Sequence, residues 1–143
     1  MLLEERSAQY CEELTREEGK TLAEGVAEVR RAAEIFRFNS GEADREAGEI
    51  YSSPRRGEQI LVGRRPLGVV GIITPWNFPI AIPAWKIAPA LVHGNAVIWK
   101  PASLVPLLAL RLTQVLVEAG LPSGVALVAG RSRRRGHEAP GAP

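Results

Sequence analysis

The sequence predicts an α/β chain in which N-terminal helices lead into a parallel β-α-β-α-β unit. Two observations carry this. Residues 2–47 are rich in charge and repeat apolar positions at spacings of three, four and seven. From Pro66 onward, short β-branched runs alternate with longer periodic stretches, each closed by glycine or proline.

In order along the chain, Leu2, Leu3, Tyr10, Leu14, Leu22, Val26, Val29, Ala33 and Phe36 are the expected buried positions of two amphipathic helices broken near Gly19. Their charged residues are expected to face water. Cys11, on this helical stretch, is expected to be a small, partly buried side chain and not a nucleophile. Residues 48–65 contain Pro54 and Gly57 ahead of Gln59-Ile60-Leu61-Val62, which predicts a turn and a strand or hairpin arm. Its apolar side could pack on the domain or on a partner subunit. Residues 67–73 (LGVVGII) predict a strand buried on both faces. Residues 80–93 predict a helix despite Pro83 and Pro89, stopped by Gly94. Residues 96–99 predict a second buried strand, residues 104–119 an amphipathic helix ended by Gly120 and Pro122, and residues 125–128 a third short strand. No internal repeat is evident.

Composition narrows the function classes. The 143 residues are 45% hydrophobic and 24% charged, values of an ordinary folded domain. The net charge is +2, but residues 131–143 alone carry +3, which leaves −1 for residues 1–130. No basic field suited to nucleic acid covers the body, so no nucleic-acid partner is expected. One cysteine excludes an intramolecular disulfide and a cysteine-built zinc cluster, and no metal site is expected. The opening MLLEERSAQY has acidic residues where a signal peptide needs a basic region and an apolar run. No stretch of about 20 apolar residues occurs. A soluble, cytoplasmic chain with no membrane partner is the expectation.

In an open parallel sheet, ligands bind beyond the carboxyl ends of the strands. The first such end is Thr74-Pro75-Trp76-Asn77-Phe78-Pro79. Two prolines stiffen a polar amide there, and a preorganised amide can donate to a developing oxyanion without reorganising. Equally, Asn77 could serve as a turn residue that satisfies backbone groups. The second end is Lys100-Pro101-Ala102-Ser103. A lysine at a strand end can donate to ribose hydroxyls or pair with a 2′-phosphate, or it can simply emerge into solvent. A G-x-G-x-x-G fingerprint is missing after the first strand, so the residues alone reach only an α/β nucleotide-binding candidate.

Taken together, several segments resemble the aldehyde dehydrogenase superfamily. They are RPLGVVGIITPWNFP (65–79), AWKIAPAL (84–91) and GNAVIWKP (94–101), with Glu18-Gly19-Lys20 upstream and EAGLPSGV (118–125) downstream. The resemblance runs from about the start of the chain to Gly130. It implies an N-terminal helical segment (1–47), a strand or hairpin arm (48–65) and a partial Rossmann-like cofactor domain (66–130), incomplete relative to the family.

The implied activity is NAD- or NADP-dependent oxidation of an aldehyde to a carboxylic acid, in which a cysteine attacks the aldehyde and water hydrolyses the thioester. By the same resemblance Asn77 is the oxyanion-hole amide and Lys100 holds the adenine ribose. Ile73, Thr74, Pro75 and Trp76 line the cofactor cleft, and Phe78 is a wall of the substrate tunnel. Many NAD-preferring members have a glutamate where Ser103 stands. Ser103 carries no charge to repel a 2′-phosphate, so NADP is expected to be tolerated, with a preference for it left open.

Other departures concern what the chain lacks. In the family the nucleophilic cysteine, its general-base glutamate, the glycine-rich cofactor loop and the oligomerisation hairpin's partner lie beyond this C-terminus, and opening strands precede this start. The chain by itself is therefore expected to be an inactive fragment of an enzyme that is a homo-oligomer when intact. A non-catalytic binding or assembly module of the same fold is the alternative, and nucleic-acid binding through the arginine tail a weaker third. Residues 131–143 read as a frameshifted or disordered basic tail.

Overall fold

The computed structural model describes residues 1–45 and 48–129. The tail expected over residues 131–143 lies outside the described residues. Three helices come first: α1 (Leu2–Glu5), α2 (Ser7–Glu18) and α3 (Leu22–Ser40). Gly19 ends α2 at φ +89°, a left-handed conformation that glycine adopts without a Cβ penalty. Thr21 then starts α3 with a capping box, its hydroxyl accepting from the Glu24 amide while the Glu24 carboxylate accepts from the Thr21 amide. The predicted break near Gly19 is thus a helix stop followed directly by a helix start.

A 3-10 turn (Gly41–Asp44) precedes an antiparallel pair, β1 (Gly48–Ser52) and β2 (Gln59–Gly63). This is the hairpin arm, and all ten of its strand residues are exposed. It does not pack its apolar side on the body. Gly48 is required within it, because a Cβ there would collide with the Val62 carbonyl oxygen.

The remaining elements are β3 (Val69–Ile73), α4 (Ala81–Val92), β4 (Ala96–Lys100), α5 (Pro106–Glu118) and β5 (Ala126–Val128). The strands form a parallel sheet in the order β3-β4-β5, with Ile73 opposite Lys100. Pro83 falls in the first turn of α4, where its fixed φ suits the helix, and Pro106 opens α5, where the missing N–H has no intrahelical partner. The α/β class and the element order agree with the sequence expectation.

One buried cluster unites the molecule. Ile72, Val97 and Trp99 point from the sheet to Ala84, Ile87, Leu108 and Leu112 of α4 and α5. Tyr10, Leu14, Val29, Ala32 and Ala33 of α2 and α3 close the cluster from the far side. Acidic residues also tie the layers together: the Glu17 carboxylate of α2 accepts from the Leu107 and Leu108 amides at 2.7 and 3.0 Å. It thereby caps α5, which has no side-chain cap of its own.

Two expectations are corrected. Leu22 and Val26 are exposed. Helix α3 instead buries Gly25, Glu28, Val29, Ala32, Ala33 and Ile35, because small residues allow α2 and α4 to approach closely. The expected two-sided burial of the strands also fails. Val70, Ile72, Val97 and Trp99 face the helices, whereas Val69, Ile73 and Ile98 are exposed on the other face. β-Branched text shows that a strand can be buried twice, but a face is covered only when a segment reaches it. None does among the described residues.

A further tie is Arg111 of α5, whose guanidinium donates to both carboxylate oxygens of Glu13 at 2.8–3.1 Å. These bonds hold the Glu13 carboxyl below its ordinary value of 4.5. A depressed carboxylate contributes stability that is present above the unfolded value and lost as pH falls through the folded one. The thermal midpoint should therefore fall as pH drops below about 4.5, and fall less in Glu13→Gln. Parallel pH profiles for the two proteins would contradict the assignment.

Candidate functional site

The carboxyl ends of β3 and β4 are bound to each other. The Thr74 amide donates to the Lys100 carbonyl at 3.3 Å. Trp99 Nε1 donates to the Thr74 hydroxyl at 2.9 Å, and both side chains are buried. Lys86 Nζ of α4 donates to the Ile73 carbonyl at 3.2 Å. At the opposite end, buried Asn95 accepts from the Leu67 and Gly68 amides at 2.6 and 3.1 Å and donates to the Ala90 carbonyl. The strand ends are therefore rigid, as a preorganised ligand site requires.

The structure brings Ile73, Thr74 and Lys100 together at one edge. Ile73 and Lys100 are register partners, and both are exposed. The Thr74 hydroxyl is turned into the sheet toward Trp99, so only its backbone borders the edge. The Lys100 ammonium meets no carboxylate within ion-pair distance among the described residues, leaving it able to receive an anionic or hydroxyl-bearing ligand. Ser103 lies on the exposed turn after β4.

Pro75, Trp76, Asn77 and Phe78 form the exposed loop between β3 and α4. The loop is held from an unexpected direction. Lys20 Nζ, between α2 and α3, donates to the Asn77 backbone carbonyl at 2.7 Å and stands 4.0 Å from the centre of the Phe78 ring. Lys20 also donates to Glu28 Oε2 at 2.7 Å. Glu28 Oε1 accepts from the Ile80 and Ala81 amides at 2.9 and 3.1 Å, so this carboxylate caps α4. Glu18 Oε2 lies 3.2 Å from Lys20 Nζ without an aligned hydrogen bond, and its burial pushes the Glu18 carboxyl up. While the backbone of Asn77 is clamped, its side-chain amide makes no hydrogen bond among the described residues.

Sequence reasoning missed Lys20 and Glu28 as members of the site and expected the helix charges to face water. The signal was present, since Glu28 falls on the same 3.6-residue stripe as Gly25, Val29 and Ala32. Further along α4, the Arg31 guanidinium lies 5.8 Å from the Trp85 ring, in an apolar groove with Ile35 and Phe38. Cys11 is fully buried, not partly. Burial, and then the charge of Glu28, push its thiol up.

Comparison with known proteins agrees with this architecture. The model of the aldehyde dehydrogenase family matches residues 1–139. The α-ketoglutaric semialdehyde dehydrogenase of Bacillus subtilis is 45% identical over 124 residues, covering 87% of this chain and 25% of that protein. The betaine aldehyde dehydrogenase of Staphylococcus aureus, solved with NAD+, superposes with a TM-score of 0.86 at 34% identity, over 91% of this chain and 26% of that one. A 3,6-anhydro-L-galactose dehydrogenase in complex with NADP gives a TM-score of 0.85 at 36% identity, over 92% and 28% of the two chains. This chain thus spans about a quarter of the length of the relatives it matches. With its sequence matched almost throughout and its fold superposed on solved members, the chain belongs to the aldehyde dehydrogenase family.

Proposed function

We propose that residues 66–129 form the oxyanion-stabilising and ribose-holding part of an NAD(P)-dependent enzyme that oxidises an aldehyde to a carboxylic acid. The observation that carries this is Asn77. Its backbone is clamped to the helical layer while its carboxamide is exposed and makes no hydrogen bond among the described residues, which supports reading it as a donor for a ligand. A bound nicotinamide cofactor supplies the hydride acceptor. Lys100 holds its ribose at the strand edge, beside the cleft lined by Ile73, Thr74, Pro75 and Trp76. Phe78 bounds the aldehyde side.

The 143 residues offer no exposed thiol, because the one cysteine, Cys11, is buried between helices and its burial pushes the thiol up. Aldehyde oxidation then belongs to an assembly that adds a reactive thiol and a general base, expected to be a homo-oligomer and cytoplasmic. Among the described residues no helix is long and apolar enough to cross a membrane.

The test is a hybrid in which residues 1–129 replace the corresponding quarter of the Bacillus subtilis relative. The hybrid should oxidise aldehydes and the isolated chain should not. It should accept NADP as well as NAD, and Ser103→Glu should weaken NADP use about tenfold or more, since a like charge opposite a 2′-phosphate costs several kcal/mol. A folded hybrid without activity would overturn the proposal, and indifference to Ser103→Glu would remove Ser103 from it.

The exposed β1–β2 arm and the uncovered sheet face favour one other reading, a non-catalytic assembly module. It predicts that the isolated chain changes the activity of an intact relative when the two are mixed.

A further inference from the structure

We infer that Lys20 and Glu28 are positioning residues for the Asn77 loop, a role that rests on the oxyanion assignment of Asn77 proposed above. Residues 77–81 are gripped at both ends by one buried ion pair. Lys20 holds the Asn77 carbonyl at 2.7 Å, and Glu28 holds the Ile80 and Ala81 amides at 2.9 and 3.1 Å. The two grips are joined by the Lys20–Glu28 contact of 2.7 Å, in which the Glu28 side chain is fully buried and that of Lys20 is 10% exposed.

The charges explain why the pair sits here. Glu18 and Glu28 bring two carboxylates to a single ammonium. The partial positive charge at the start of α4 supplies the missing compensation on the Glu28 side. The ammonium can then direct a hydrogen at a backbone carbonyl, which no carboxylate could do. A pair serving stability alone would not need Lys20 to reach a loop 57 residues away. The sheet fixes only one side of the loop, at Thr74, while the ion pair fixes the other, so the place of the Asn77 carboxamide is set by the helical layer as much as by the strand.

The two roles of the pair can be separated in the full 143-residue chain. The triple variant Glu18→Gln/Lys20→Met/Glu28→Gln removes all three buried charges, keeps an amide oxygen to cap α4, and deletes the donor to Asn77. Its melting temperature is expected to stay near that of the unaltered protein. Backbone ¹⁵N order parameters at Asn77 and Phe78 should fall from about 0.85 to below about 0.6. Lys20→Arg, which keeps the cation and a donor, should restore them. Should the triple variant not fold, Lys20→Met alone deletes the donor to Asn77 with the α4 cap intact. A folded variant with unchanged order at Asn77 and Phe78 overturns the inference, as does a loop that loosens only in proportion to lost global stability. This readout needs no activity. An unchanged kcat in an Asn77→Ala hybrid would therefore sink the oxyanion assignment while leaving the loop clamp to stand or fall separately.

Discussion

Asn77→Ala in the hybrid enzyme is expected to lower kcat by about 10²–10³-fold, with the KM for aldehyde little changed. The expectation follows from where the side chain stands. Its backbone carbonyl is engaged by Lys20, prolines flank the loop at 75 and 79, and the Ile82 amide donates to the Phe78 carbonyl at 3.1 Å, which ties the loop to the first turn of α4. A carboxamide on so constrained a backbone needs no reorganisation when charge develops on a substrate oxygen. A donor that acts only in the transition state changes kcat and leaves ground-state binding alone. A rise in KM at constant kcat would instead make Asn77 a ground-state contact. No change in either would remove it from the chemistry.

The second large effect concerns stability. Glu28→Ala should destabilise the chain by about 3–5 kcal/mol in urea unfolding, the scale set by breaking a buried pair from one side. The Ile80 and Ala81 amides lose their acceptor, and the Lys20 ammonium loses one of its two carboxylate neighbours. The side chain is fully buried, so the freed amides are left away from bulk water. An exposed glutamate on α2 provides the control. Glu12 faces Arg16 at 3.7 Å with both side chains well exposed, and Glu12→Ala should change stability by no more than about 0.5 kcal/mol. Similar losses in the two variants would mean that Glu28 is not the junction between the helical layer and α4.

Much of this protein is legible from local text. Gly19 followed by the Thr21–Glu24 spacing marks a helix end and a helix start, and β-branched runs closed by glycine mark the parallel strands, because these signals act over a few residues of backbone. The strand-end position of Asn77 and Lys100 follows from element order alone. The family, and with it the roles expected of those two residues, comes from a resemblance carried by the loop and strand text around them.

Tertiary structure alone decided which charges are buried and which apolar residues are not. Glu28 and Leu22 lie on one helix, and residue type alone places the glutamate in water and the leucine in the core. The fold reverses both, because the start of α4 and the ammonium of Lys20 together stabilise a buried carboxylate, while Leu22 and Val26 meet no facing surface. One-sided burial of the sheet has the same origin. Hydrophobicity along a strand states what each residue tolerates, but whether a face is covered depends on chain segments far away in sequence. The helical stripe places Glu28 on the buried face, but its partner 52 residues away and that of Lys20 57 residues away are not named by any local pattern and exist only once the layers have packed.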